Sequence, residues 1–159
     1  MKKLLVAMFC AAAVMYAFSC SKATTNGGSC SGPKAVVDST QLLAFAKKYG
    51  INPIADTSWL YYEVINPGSG GSPSASSKVF VRYAGRFMDG TYLDSSAVST
   101  RYSMDSLIKG WQYGLPKIKA GGQIKLLVPS ALAYGCMGVP GTIPANAPLY
   151  FNIYLDSLK

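Results

Sequence analysis

The chain has 159 residues, enough for one domain with short extras and a properly buried core. It carries 15 Lys and Arg against 7 Asp and Glu and no histidine, which removes histidine-based triads, most zinc sites and the commonest general base in one step. The positive charge is scattered over Lys34, Lys47, Lys78, Arg82, Arg86, Lys117 and Lys125, as on a solvated surface, and argues against a nucleic-acid footprint.

Residues 1–20 read as an export signal: Lys2 and Lys3, an apolar run over 4–18, then Ser19 and Cys20. The run is too short for an ordinary membrane-spanning helix. Ala17, Phe18, Ser19 and Cys20 resemble the lipobox of bacterial lipoproteins. That resemblance implies a lipoprotein signal peptide over 1–19, cut before Cys20, whose thiol takes the diacylglycerol. Phe18 is bulkier than the usual residue there, so a plain secretory signal cut near the same place stays open. Either cut removes Lys2, Lys3 and Cys10, and a lipidated Cys20 leaves Cys30 and Cys136. An oxidising compartment allows those two to pair, but nothing around Cys30 fixes its position, so the pairing stays open. Residues 21–33, rich in Ser, Thr and Gly, read as a flexible tether spanning roughly 20 Å as a coil.

Asp38, Ser39 and Thr40 offer an N-cap, Leu42, Leu43, Phe45 and Ala46 supply an apolar stripe, and Gly50 follows Lys47 and Lys48 as a stop. This predicts one short amphipathic helix packed against the domain, with a partner-binding helix as the alternative. Strand signals begin at Leu60, where Leu60, Tyr62 and Val64 alternate with Tyr61, Glu63 and Ile65 until Asn66, Pro67 and Gly68 break the run. After a Gly/Ser/Pro loop, Val79, Val81 and Tyr83 alternate with Phe80, Arg82 and Ala84 as a half-buried strand. Asp89 and Gly90 turn the chain into Tyr92 and Leu93. Residues 100–104 form a brief further strand.

A short helix then places Trp111, Leu115 and Ile118 on one side, and Pro116 ends or kinks it early. Gly121 and Gly122 lead into the alternating strand of Ile124, Leu126 and Val128, stopped by Pro129. A long loop follows over 130–148, and a last strand sets Leu149, Phe151, Ile153 and Leu155 inward. The expected architecture is α+β: a curved antiparallel sheet of four or five strands wrapped around one short helix, with a short helical leader in front.

The order of segments carries a resemblance. Tyr83-Ala84-Gly85, Asp89-Gly90, Leu93-Asp94, Leu107-Ile108-Lys109-Gly110-Trp111, Ala133-Tyr134-Gly135, Ile143-Pro144 and Phe151 follow one another as in FKBP-type peptidyl-prolyl cis-trans isomerases. With its lipobox-like start, the whole chain resembles the lipoprotein FKBPs of Bacteroidetes-like bacteria. The resemblance implies an isomerase domain over 59–159 behind a tether and helical leader over 20–58. It implies an apolar pocket in which Tyr83, Asp94, Ile108, Trp111 and Tyr134 act on the substrate and Leu93, Leu107, Ile143 and Phe151 help bind it. The Ile108 N–H and the Tyr134 hydroxyl would bond substrate carbonyls, and the Trp111 indole would floor the proline ring. The implied partners are proline-containing unfolded or partly folded polypeptides, a membrane reached through the lipid on Cys20, and macrolides of the FK506 and rapamycin type, with no cofactor and no metal. The implied place is the cell envelope facing the periplasm, surface exposure remaining open.

Physical chemistry makes such a site suitable without the resemblance. Amide resonance sets a rotation barrier of about 18–20 kcal/mol and separates charge. An apolar aromatic pocket disfavours the charge-separated form, so the twisted amide becomes relatively less costly and no base, nucleophile or metal is needed. Leu93 departs from the family's usual phenylalanine and Thr100 from an aromatic found in some members, and both departures leave open a chaperone or adaptor that binds proline segments with little turnover. The apolar run Cys136, Met137, Gly138 and Val139 over the pocket suggests a preference for apolar residues before proline.

Overall fold

The computed structural model describes residues 34–159. The export signal, Cys20, the tether and Cys30 lie outside the described residues. Helix α1 (Lys34–Lys48) is longer at its front than the capping signal suggests. Asp38 is therefore not the N-cap; it lies inside the helix, 3% exposed, and its carboxylate bonds Ser130 across the fold. A short acidic side chain before an apolar stripe reads as a cap only while its tertiary partner is unknown. The stripe itself forms as expected: Leu42, Phe45 and Ala46 are buried at the i, i+3, i+4 spacing, while Leu43 faces solvent. Gly50, at φ 62°, ends the helix.

Six antiparallel strands follow: β1 (Ile54–Ala55), β2 (Tyr61–Asn66), β3 (Lys78–Phe87), β4 (Tyr92–Ser103), β5 (Gly122–Val128) and β6 (Leu149–Leu158). Their order across the sheet is β1-β2-β5-β6-β3-β4. The expected fragments at 92–93 and 100–104 are one strand. Its ladder to β3 shifts register where Val81 faces Thr100 and Tyr83 faces Ser96, so 97–99 bulge out and the alternation of the sequence is lost there. The two-residue β1 extends the β2 edge and was too short to read from periodicity.

Helix α2 (Lys109–Gly114) passes at Pro116 into a 3-10 turn over Leu115–Lys117. It lies unusually close to the sheet. A β-carbon on Gly110 would sit 2.4 Å from Val128 Cγ1, and one on Gly114 2.6 Å from Leu126 Cδ2, so a side chain at either position would force these buried neighbours to shift.

The sheet divides two cores. On its concave face, β3, β5 and β6 bury Val79, Val81, Ile124, Leu126, Ile153 and Leu155 against Trp111, Leu115 and Ile118. On its convex face, Leu42, Phe45 and Ala46 of α1, with Ile51 just after it, cover Leu127, Tyr61 and Tyr150. The alternation of β5 feeds both, and the concave core is open at one end.

Candidate active site

That open end is a cavity of about 570 Å³ between α2, the concave face and the 130–148 loop. Trp111 closes its bottom, 5% exposed, with three rings set edge-on around the indole: Tyr83 at 5.2 Å, Phe151 at 5.3 Å and Tyr102 at 6.4 Å between centroids. Edge-to-face contacts of this kind are each worth about 0.5–1.5 kcal/mol beyond area burial. The buried indole Nε1–H finds no acceptor. An unpaired buried donor of this kind costs about 1–3 kcal/mol relative to a paired one.

Polar atoms converge on one wall. Tyr83 stands on β3 opposite Ile153 of β6, and its hydroxyl donates to Asp94 Oδ2 at 2.5 Å across to β4. The other carboxylate oxygen of Asp94 accepts from the Ser95 N–H at 2.7 Å, which fixes the rotamer. The hydroxyls of Tyr83 and Tyr102 lie 3.5 Å apart. Burial, and after it the bond to Asp94, pushes the Tyr83 hydroxyl well above the ordinary tyrosine range. Tyr134, 40% exposed at the mouth, is pushed up as well, first by partial burial and then by the charge of Asp94. Both phenols therefore remain donors at any physiological pH.

Helix entry completes the site. Ile108 is the N-cap of α2, and its carbonyl accepts the N–H groups of Trp111 and Gln112 at 3.0 and 3.1 Å. As an N-cap its own N–H has no acceptor within the helix, and Ile108 is among the residues that line the cavity. Gln112 Nε2 donates to the Leu107 carbonyl at 2.7 Å and holds the approach to the helix. Above, Val139 and Ile143 bond each other twice at 2.8 Å and close a small turn whose apolar side chains face the cavity.

Every pocket residue singled out in the sequence lines this cavity: Tyr83, Leu93, Asp94, Leu107, Ile108, Trp111, Tyr134, Ile143 and Phe151. Tyr102, Ser106 and Thr142 line it too and were not singled out. Tyr102 was legible in principle, since it shares a strand face with Thr100. Thr100 itself turns to Ser96, with 2.8 Å between their hydroxyl oxygens, and does not line the cavity. The aromatic wall that Thr100 leaves without a ring is supplied by Tyr102. Cys136, beside the mouth, is disulfide-bonded, and the chain's other cysteines, Cys10, Cys20 and Cys30, all precede the described residues.

Among known proteins, the family pattern of FKBP-type peptidyl-prolyl cis-trans isomerases matches residues 70–156, more than half of the chain. The chain belongs to this family. FKBP-type peptidyl-prolyl cis-trans isomerase FkpA of Escherichia coli K12 is 41% identical over 118 residues, covering 72% of this chain and 43% of the relative. Peptidyl-prolyl cis-trans isomerase Mip of Coxiella burnetii is 39% identical over 121 residues, covering 74% and 52%. The chain thus spans about half the length of these relatives or less. The crystal structure of FkpA from Escherichia coli superimposes with a TM-score of 0.70 at 35% identity, over 79% of this chain and 61% of that one. A peptidyl-prolyl cis-trans isomerase from Pseudomonas syringae pv. tomato gives a TM-score of 0.70 at 30% identity, over 83% of this chain and 99% of that one. The FKBP fold accounts for the curved sheet and the single enclosed helix. The helix α1 on the convex face precedes the residues that the family pattern matches.

Proposed function

We propose that the protein is a peptidyl-prolyl cis-trans isomerase that assists the folding of exported proteins. The observation that carries this reading is the Trp111 floor, ringed edge-on by Tyr83, Tyr102 and Phe151 and left with an orphan buried N–H. In the proposed mechanism the proline ring lies on the indole, and the Ile108 N–H and Tyr134 hydroxyl hold the substrate carbonyls on either side. The Tyr83 and Asp94 pair orders the wall beside the twisting bond. Desolvation weakens amide resonance and lowers a barrier of about 18–20 kcal/mol. No proton changes hands. Uncatalysed rotation takes tens to hundreds of seconds, slow enough to limit folding.

Leu93, Leu107, Ile143 and Phe151 form the apolar walls of the same site. Met137, 81% exposed beside the mouth, and Val139 favour an apolar residue before proline. Macrolides of the FK506 type are proposed ligands, with Leu93 weakening their hold. We place the protein in the cell envelope, lipid-anchored at Cys20 and facing the periplasm, on the lipobox-like sequence before the tether. Cys30 is the proposed disulfide partner of Cys136, the cysteine that survives signal removal and lipidation. Mass measurement of the envelope form tests the anchor, since Cys20→Ser should abolish the diacylglyceryl mass and the membrane association.

The activity is tested by a protease-free isomerisation assay on a peptide with leucine before proline. Acceleration that falls in Asp94→Val supports the enzyme. Peptide binding by a folded protein without acceleration would replace it by the chaperone or adaptor reading.

A further inference from the structure

Asp38 and Ser130 are the only polar or charged side chains buried among the described residues. Asp38 Oδ2 accepts from both the N–H and the hydroxyl of Ser130, at 2.9 and 2.6 Å. Neither residue lines the cavity. Ser130, however, opens the loop that forms the cavity mouth. Its carbonyl accepts the N–H groups of Ala133 at 3.0 Å and Gly135 at 2.8 Å, the two residues that flank Tyr134. The Gly135 carbonyl in turn takes the Asn146 N–H at 2.8 Å. An unbroken line of hydrogen bonds therefore runs from inside α1 to the turn that presents Tyr134.

A buried carboxylate is a poor device for stability alone, because an apolar side chain of similar volume does as well or better. Its value lies in direction: two donors from one residue fix where that residue sits. We propose that Asp38 is a positioning residue for the isomerase site, and that α1 sets the reach of Tyr134 over the pocket through Ser130. The helix that seals the convex face is thus a working part of the concave one. This inference rests on the isomerase reading of the pocket.

The test compares Asp38→Ala, Asp38→Asn, Tyr134→Phe and the double variant Asp38→Ala/Tyr134→Phe in the full chain. It reads kcat/KM for the leucine-proline peptide and hydrogen exchange at the Ala133 and Gly135 amides. Asp38→Ala should lower kcat/KM about two- to tenfold and no further than Tyr134→Phe does, because it acts through the same hydroxyl. Asp38→Asn should restore most of it, because its amide oxygen still accepts from Ser130. The double variant should fall no further than Tyr134→Phe alone, since the two changes act on one group. Exchange at Ala133 and Gly135 should rise in Asp38→Ala beyond the rest of the domain. Wild-type kcat/KM in a folded Asp38→Ala protein would overturn the proposal, as would additive losses in the double variant or uniform exchange. Should Asp38→Ala not fold, Ser130→Ala removes one of the two donors and is read in the same way. Should the wild type show no turnover, the isomerase reading fails by itself, and exchange at Ala133 and Gly135 still decides whether Asp38 holds the turn.

Discussion

On β5, Leu126 and Val128 point into the concave face and Leu127, between them, into the convex one, and all three are fully buried. The two faces are finished in different ways. On the convex side α1 closes over Leu127, with Phe45 against Tyr150 at 5.0 Å and against Tyr49 at 4.3 Å. On the concave side the aromatic rings meet edge-on around Trp111 and leave a cavity of about 570 Å³ open to solvent. A face that has only to be stable fills its space, because each void forfeits dispersion contacts. The unfilled face is the one that leaves room for a substrate.

The contrast is broken most forcefully by truncating one buried side chain from each face. Phe151→Ala should cost about 3–5 kcal/mol in urea denaturation and remove turnover, because Phe151 belongs to both core and pocket. Leu127→Ala should cost about 2–5 kcal/mol and leave kcat/KM of the folded fraction unchanged. Trp111→Ala confuses the two effects, since the indole is 5% exposed and part of the core; Trp111→Phe separates them better. Next in size, Tyr134→Phe removes one donor at the mouth and should lower kcat/KM about two- to tenfold, the worth of one hydrogen bond. Its midpoint of denaturation should not move.

Titration sharpens the comparison further. Burial raises both phenols of the concave site, so Tyr83 and Tyr134 stay protonated, and turnover should be flat from about pH 6 to about pH 9. A bell-shaped profile would contradict a site without acid or base. At Glu63, burial alone would raise the carboxyl, but hydrogen bonds from Lys125 at 2.8 Å and the Asn52 N–H at 3.0 Å outweigh it and depress it. At Asp56, bonds from Ser58 and Lys117 outweigh burial in the same way. Depressed carboxylates stabilise the fold at neutral pH and lose that contribution as the pH falls through their folded values, below the ordinary carboxylate range. Acid should therefore lower the denaturation midpoint, and Glu63→Gln should reduce that acid sensitivity. The smallest effect belongs to Arg82 and Asp156, a bidentate surface pair in which Nη2 donates to Oδ1 at 2.8 Å and Nε to Oδ2 at 3.0 Å. Asp156→Ala should change stability by about 0–1 kcal/mol.

Much of this was legible in the sequence because the strands alternate and the turns carry their own residues. Leu149, Phe151, Ile153 and Leu155 declared one face of β6, and Pro116 marked the end of α2. Legibility failed where a tertiary contact overrides a local signal. Asp38 looked like a cap because its partner lies 92 residues away. The bulge at 97–99 hid that β4 is one strand, and with it that Tyr102 stands in the pocket. The order of the motifs points to residues that line one cavity, whereas the brace proposed behind it carries no motif.

The most direct test of the account is the isomerisation rate of a leucine-proline peptide with wild-type protein, Asp94→Val and Leu127→Ala side by side. Wild type should accelerate the reaction, Leu127→Ala should keep that rate per folded molecule, and Asp94→Val should lose it. Equal rates in all three, or no acceleration by a folded wild type, would contradict it.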